Sequence, residues 1–347
     1  ISITGIDSLL LAADCLVEVR ARNEVVQPAS LLLERMKQCV ESYSSNSPVN
    51  YTKSLIASIV RSWGETPETF AWLNRIARRY SSSYTTRRVA VQELAKGWQT
   101  DPKALNILKN LAMESQHIDV RETAMQELAK GWREDLDVLN ILKNRAREGR
   151  SGAVRISAIQ ELGKSRRKDL DVLNILKICA QEDKVVDARS AAVRAIARGW
   201  RENSDTLTWI KACAQGDVSW TVRRVAFQEL ARCWSDVLYT SNWIKTCAQE
   251  DVSWIVRSAA VQELARGWES DSALFEFWWD RTLNDPFERE YDWQDNPRQI
   301  ALQVIVQQYP DHPKTTELLQ DRAQNDIDEK LRDWATKQLN RLTDATE

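Results

Sequence analysis

The sequence predicts an all-α fold, a right-handed α-α superhelix of stacked two-helix repeats. Three observations predict it. A tryptophan recurs at 34-residue intervals: Trp98, Trp132, Trp200, Trp234 and Trp268 hold the position, Trp63 stands 35 residues before Trp98, and Arg166 takes the missing beat. The phrase leading to it recurs too, as VAVQELAKGW up to Trp98, TAMQELAKGW up to Trp132 and AAVQELARGW up to Trp268. An arginine stands 11 residues before the beat six times running, at Arg87, Arg121, Arg155, Arg189, Arg223 and Arg257. Self-similarity at this period is the signature of a solenoid, in which one repeat cannot bury its own apolar face and neighbours must stack to do so.

The elements follow in order. Residues 1–48 form a helical segment whose longest apolar run, Ser8–Val19, is interrupted by Asp14 and Glu18. The array of 34-residue repeats covers 49–268, with six clear copies. In the copy ending at Trp132, Asp101–Pro102 opens the first helix, since Asp caps well and Pro suits the first helical position. Thr66–Pro67 does the same one repeat earlier, and Asp135, Asp169 and Asp271 hold the cap position elsewhere. Leu105, Leu108, Leu111 and Ala112 mark one face at helical spacing, which predicts helix A over 102–114. A polar turn, Ser115–Asp119, precedes helix B, expected over 120–132. At 100° per residue Arg121, Ala124, Met125, Leu128 and Trp132 share a buried stripe, with Gln126, Glu127 and Lys130 opposite. The tryptophan reads as an apolar plug at the end of helix B; the alternative is a ladder for stacking a ligand. Residues 269–347 hold an irregular acidic and aromatic insertion and the C-terminal capping repeats.

Composition narrows the function. The chain has 347 residues and a formal net charge of −2, so no global basic field recruits nucleic acid. Ten glycines and eight prolines argue against long disordered linkers. No apolar run approaches the roughly 20 residues of a membrane helix, and no signal peptide is read. The first residue is Ile1 rather than Met, which leads to the expectation of a longer parent protein. Cys179, Cys213 and Cys247 lie 34 apart, at a position held by Leu111 and Ile76 in other repeats. They read as core hydrophobes of a reducing, cytoplasmic protein rather than as disulfides or metal ligands.

The arginine series lies on the buried stripe and needs partners. Asp183, Asp217, Asp251, Asp292 and Asp326 each stand six residues before an arginine of the series, which Arg298 and Arg332 continue with altered spacing. The expectation is a structural Asp–Arg ladder along the turns between helices, with Arg87, Arg121, Arg155, Arg189, Arg223, Arg257, Asp183, Asp217 and Asp251 as members. A phosphate-binding arginine row is the functional alternative.

The phrase Asp251-Val-Ser-Trp-Ile-Val-Arg257-Ser-Ala-Ala-Val261 resembles the HEAT repeat, which carries Asp, Val and Arg at these relative positions. The resemblance covers residues from about 49 to 347 and implies a HEAT solenoid. A second resemblance covers both ends. SLLLAADCLVEVRARN (Ser8–Asn23) is similar to the helical segment after the NTPase core in cyanobacterial-type NACHT proteins of the STAND class. Asp285–Asp326 is similar to the tail that closes their HEAT arrays. That resemblance implies a C-terminal sensor region whose repeats recognise a trigger, with a role in anti-phage defence. The NTPase core itself is not in these residues.

Catalytic motifs are lacking. Gly163-Lys164-Ser165 has Ala158 where a phosphate loop needs glycine, and it continues a helix B. The two histidines, His117 and His312, are far apart in sequence. The chain therefore reads as a non-enzymatic recognition module with no cofactor and no metal.

Three surfaces are candidates for the partner. The first is the polar face of helix B: Gln92, Glu93, Lys96, Gln126, Glu127, Lys130, Gln228, Glu229, Arg232, Gln262, Glu263 and Arg266, read as a groove of mixed charge that favours a protein ligand. The second is a basic patch in the middle repeat, Arg145, Arg147, Arg150, Lys164, Arg166, Arg167 and Lys168, where nucleic acid is the alternative partner. Here Arg145 replaces an apolar residue of helix A. The third is the insertion with Phe275, Trp278, Trp279 and Trp293, read either as a solenoid cap or as a docking loop. A free-standing scaffold or adaptor is the main rival to the sensor reading.

Overall fold

The computed structural model describes residues 3–18, 25–42, 49–64, 66–80, 82–165, 169–237, 239–268 and 274–344. Among them are nineteen α-helices and no strand. They are α1 (Ile3–Glu18), α2 (Val26–Ser42), α3 (Val49–Trp63), α4 (Pro67–Arg78), α5 (Tyr84–Gly97), α6 (Pro102–Glu114), α7 (Ile118–Gly131), α8 (Leu136–Glu148), α9 (Gly152–Ser165) and α10 (Leu170–Glu182). The series continues with α11 (Val186–Gly199), α12 (Ser204–Gly216), α13 (Trp220–Cys233), α14 (Thr240–Glu250), α15 (Trp254–Gly267), α16 (Leu274–Asn284), α17 (Pro297–Gln308), α18 (Pro313–Asn325) and α19 (Glu329–Asp344). The fold class is the all-α solenoid that the 34-residue period predicts. From α4 onward the even-numbered helices are helix A of a repeat and the odd-numbered ones helix B.

By packing, the chain divides into two compact units, Ile1–Ile175 and Leu176–Glu347. In the first, α4 pairs with α5, α6 with α7 and α8 with α9, while α3, α5, α7 and α9 lie side by side and α1 packs on α3. In the second, α12 pairs with α13, α14 with α15, α16 with α17 and α18 with α19, and the helix-B row runs α11, α13, α15, α17. This division reflects packing; the segment bounds at 48 and 268 mark changes of sequence pattern.

Local chemistry starts each helix where the caps stand. The Asp101 carboxylate accepts the Lys103 N–H at 2.8 Å, Asp135 accepts Val138 N–H at 2.9 Å, and the Thr66 hydroxyl accepts Thr69 N–H at 3.3 Å. Each satisfies an amide that has no partner within its helix. Asp169 serves Val172 N–H in the same way at 3.2 Å, whereas Asp271 lies outside the described residues.

Helix B begins two residues earlier than expected, at Ile118, and ends at Gly131, so the recurrent tryptophan caps the helix rather than forming its last turn. Trp132 donates its N–H to the Leu128 carbonyl at 2.9 Å and accepts Asp135 N–H at 3.1 Å. It thereby ties the end of one helix B to the start of the next helix A. Trp98, Trp200 and Trp234 are buried, with Phe70 edge-on to Trp98 at 5.3 Å; Trp63, Trp132 and Trp268 are half-buried.

Between the helices, Leu108, Leu111, Ala112, Val120, Ala124, Met125 and Leu128 are fully buried. Each buried Leu or Met contributes about 1.5–3 kcal/mol. Cys213 and Cys247 are free thiols on α12 and α14. Burial pushes both up to about 12, and the nearby Asp217 and Asp251 charges add to the effect.

Candidate functional site

The buried arginines form a ladder whose geometry differs from the sequence expectation in one respect. Within its own phrase each arginine binds the backbone of the turn, not the carboxylate. Arg189 Nη1 donates to the Asp183 carbonyl at 2.9 Å and Arg223 Nη1 to the Asp217 carbonyl at 3.0 Å. The carboxylate comes from the following repeat, 28 residues on. Arg189 grips Asp217, Arg223 grips Asp251 and Arg257 grips Asp285, through Nε and Nη2 at 2.8–3.0 Å. Each aspartate also caps its own turn, as Asp217 accepts Ser219 N–H at 2.7 Å and Asp251 accepts Ser253 N–H at 2.8 Å. Two-toothed, charge-assisted bonds of this kind fix orientation as well as adding energy.

The insertion reroutes one rung. Asp292, expected as the acid preceding Arg298, is exposed beside Lys330; Asp285 is the buried rung acid. Residues 286–296 bulge between Asp285 and Arg298, whose Nη1 reaches the Asp285 and Phe287 carbonyls at 2.8 and 2.7 Å. Arg298 then continues the ladder to Asp326 at 3.0 Å. In the first compact unit Arg87 takes Asp119 at 3.0 Å, because Ser115 stands in the acid position. Arg155 donates to the Gly149 carbonyl at 2.7 Å.

The helix-B face is not the evenly exposed polar row that the wheel suggests. Glu229 and Glu263 are buried, because the helix B of the preceding repeat packs alongside and covers them, α11 beside Glu229 and α13 beside Glu263. Each is neutralised: Glu229 accepts Arg198 Nε from α11 at 2.8 Å, and Glu263 pairs with Arg266 at 3.1 Å. Burial raises the Glu263 carboxyl above its ordinary value and the Glu229 charge adds to that, against the pull of Arg266. Around them a cleft of about 480 Å³ opens between α11, α13 and α15, lined by Arg194, Arg198, Gln228, Glu229, Arg232 and Arg266 among others. Its four arginines are exposed. Arg198 and Arg266 hold the buried glutamates, while Arg194 and Arg232 have no ion pair among the described residues. The cleft therefore presents positive charge outward and keeps its acids inside.

Arg194 and Arg198 were absent from the sequence candidates, although they stand 34 residues before Gln228 and Arg232. That repeat reads Arg194-Ala195-Ile196 where others read Gln-Glu-Leu, so matching the phrase hides it. Gln262 falls elsewhere, in a cleft of about 520 Å³ with Arg289, Gln294 and Trp334. In the first unit Gln92, Glu93, Gln126 and Glu127 are half-buried and Lys96 and Lys130 exposed, with Glu127 bound to Lys130 at 2.9 Å.

The basic patch separates into parts. Lys164 is bound to the buried Glu161 at 2.8 Å, and Arg147 is exposed. Arg166, Arg167 and Lys168 lie outside the described residues. Arg145 does not sit in the core: it is half-buried, with Nη2 donating to the Met113 carbonyl at 2.6 Å, beside the exposed Arg150.

The insertion is largely structural. Residues 274–284 are α16, the helix A of a repeat, and Phe275 and Trp278 are buried in its core, which removes both as docking anchors. Trp279 is half-buried under the Lys314 ammonium, 5.4 Å from its ring centre. Trp293 alone of the four is exposed, stacked on Tyr291 with ring centres 6.0 Å apart.

The stacked antiparallel helix pairs and the Asp–Arg rungs define an all-α repeat protein of the solenoid type. HEAT repeats are matched over residues 71–163 and 139–231. The fold is similar to the karyopherin Kap95p, in a solved structure describing how Kap95p binding induces the switch loops of RanGDP to adopt the GTP-bound conformation. The TM-score is 0.57 at 14% identity, over 87% of this chain and 44% of that one. The chain thus spans less than half the length of that relative. No curated protein matches the sequence. No helix among the described residues is long and apolar enough to cross a membrane.

Proposed function

We propose that this chain is a non-catalytic recognition module that binds an acidic protein surface through the α11–α13–α15 cleft. The observation that carries this reading is the sorting of charge there: Glu229 and Glu263 are buried and paired, and Arg194 and Arg232 stand outside with no ion pair among the described residues. Arginines at such a cleft offer planar, two-toothed donors to carboxylates. Gln228 and the small Ala231 and Gly267 leave room between them for a partner side chain. Kap95p, whose fold is alike, is a protein that binds RanGDP. The narrower reading is the trigger-sensing region of a NACHT-type STAND protein in anti-phage defence. Its support is the similarity of Ser8–Asn23 and Asp285–Asp326 to the segments flanking such HEAT arrays.

The test is retention of proteins from extract of the source cell on immobilised chain, wild type against Arg194→Glu with Arg232→Glu, with and without nuclease. A protein held by the wild type, resistant to nuclease and released by the double reversal supports the reading. Equal retention by both forms, or loss on nuclease alone, overturns it. The reading frame upstream of Ile1 decides the narrower reading: an NTPase module there supports it, and its absence rejects it in favour of a scaffold or adaptor.

A further inference from the structure

One rung of the ladder lacks its acid. Arg121 Nη1 donates to the Ser115 carbonyl, as the equivalent atoms of Arg189 and Arg223 do in their turns. The position 28 residues on, where those arginines find Asp217 and Asp251, is Gly149. Among the described residues Arg121 makes no ion pair, so its Nε and Nη2 edge, the edge that chelates carboxylate in the other rungs, has no acid. Gly149 cannot be given one cheaply: a Cβ there would meet the Arg145 carbonyl oxygen at 2.7 Å.

Two further guanidiniums converge on the same place. Arg145, Arg150 and Arg121 line one cleft of about 550 Å³ together with Met113, Glu114 and Val154. Arg145 Nε is buried with no hydrogen-bond partner, and neither Arg145 nor Arg150 has an ion pair among the described residues. Burial, and then the Arg121 and Arg150 charges, hold Arg145 below its ordinary value. The half-buried Arg121 and Arg145 and the exposed Arg150 repel one another, and the two half-buried guanidiniums are incompletely solvated, a state that an incoming anion relieves.

We infer that this cleft is an oxyanion site that accepts a carboxylate from outside the chain, an acidic side chain of the bound protein, which completes the missing rung on Arg121 with Arg145 and Arg150 as its other donors. The site depends on the recognition reading only for the source of that carboxylate. It lies in the first compact unit, away in sequence from the α13 and α15 arginines, so the two can be tested apart.

The experiment titrates the whole chain at low ionic strength with hexaglutamate and, separately, with inorganic phosphate, by calorimetry. The variants are Arg145→Gln, Arg150→Glu, Lys103→Glu as a charge reversal on exposed α6 surface, and Arg232→Glu as a reporter of the α13 cleft. Thermal melting checks that Arg145→Gln and Arg150→Glu remain folded. The expected result is binding of hexaglutamate that weakens about tenfold in each of Arg145→Gln and Arg150→Glu, the scale of losing one charge-assisted donor, with Lys103→Glu within about twofold. Phosphate binding that is at least as tight and lost in the same two variants keeps the oxyanion site and assigns free phosphate as its source. Equal weakening by Lys103→Glu shows a diffuse field and overturns the site. Weakening by Arg232→Glu alone overturns it while leaving the recognition reading standing. No binding of either probe also overturns it.

Discussion

The Arg223 guanidinium holds the Asp251 carboxylate side-on across a repeat boundary, with Nε and Nη2 each 2.8 Å from a carboxylate oxygen and Nη1 on the Asp217 carbonyl. Both side chains are about nine-tenths buried. Asp251 hydrogen bonding raises the Arg223 pKa above its ordinary value. Arg223→Ala leaves the Asp251 charge buried without its partner and is expected to cost about 3–5 kcal/mol. Arg121→Ala, which removes one backbone hydrogen bond and no carboxylate, is expected to cost about 1 kcal/mol. Urea denaturation of the two variants side by side checks the contrast; equal losses would remove the carboxylate from the account.

The buried Glu263 gives a pH-dependent expectation. Its folded pKa is raised, above all by burial, so the folded state holds this proton more tightly than the unfolded chain. The stability it contributes is fully present below its ordinary value of 4.5 and is lost as pH rises through the raised one. Glu263→Gln keeps the shape and removes the charge. It is expected to raise stability at pH 7 and to change little at pH 4. Melting curves at the two pH values measure this, and a stabilisation independent of pH contradicts it.

Thiol chemistry separates the cysteines. Cys213 and Cys247, with thiols pushed up to about 12, are expected to stay protonated and unreactive towards Ellman's reagent at pH 8 in the folded protein. Cys15, which is exposed, is expected to react. Mass spectrometry of the labelled protein locates the modified residue; prompt labelling of Cys247 contradicts the buried assignment.

The two exposures in the aromatic segment predict opposite phenotypes. Trp278 is wholly buried on α16, and Trp278→Ala is expected to cost about 3–5 kcal/mol. Trp293 is exposed on its far side, and Trp293→Ala is expected to stay within about 0.5 kcal/mol of wild type. Chemical denaturation of each variant distinguishes a core residue from a surface one.

The repeat period made the architecture legible. Asp101–Pro102, the apolar triads and the closing Gly–Trp place helix A and helix B to within two residues, because capping and amphipathic spacing are local properties of the chain. The candidate surfaces were legible only in part. The wheel that put Glu229 and Glu263 on an outer face is right about direction along one helix. It takes no account of the neighbouring helix B that covers that flank. Phe275, Trp278 and Trp293 look alike in the sequence, yet two are core and one is exposed, because burial depends on what packs above them.

The sequence by itself determined that this chain is a stack of helix pairs, that an arginine recurs in each turn and that an aspartate stands six residues before it in the later repeats. Only the tertiary structure decided which aspartate each arginine takes, that Arg121 has none among the described residues, and that Arg145 and Arg150 close around it. The physical reason is that a period describes one repeat at a time. Partners 28 residues apart meet only through the offset at which one repeat settles against the next, and that offset is set by packing between helices.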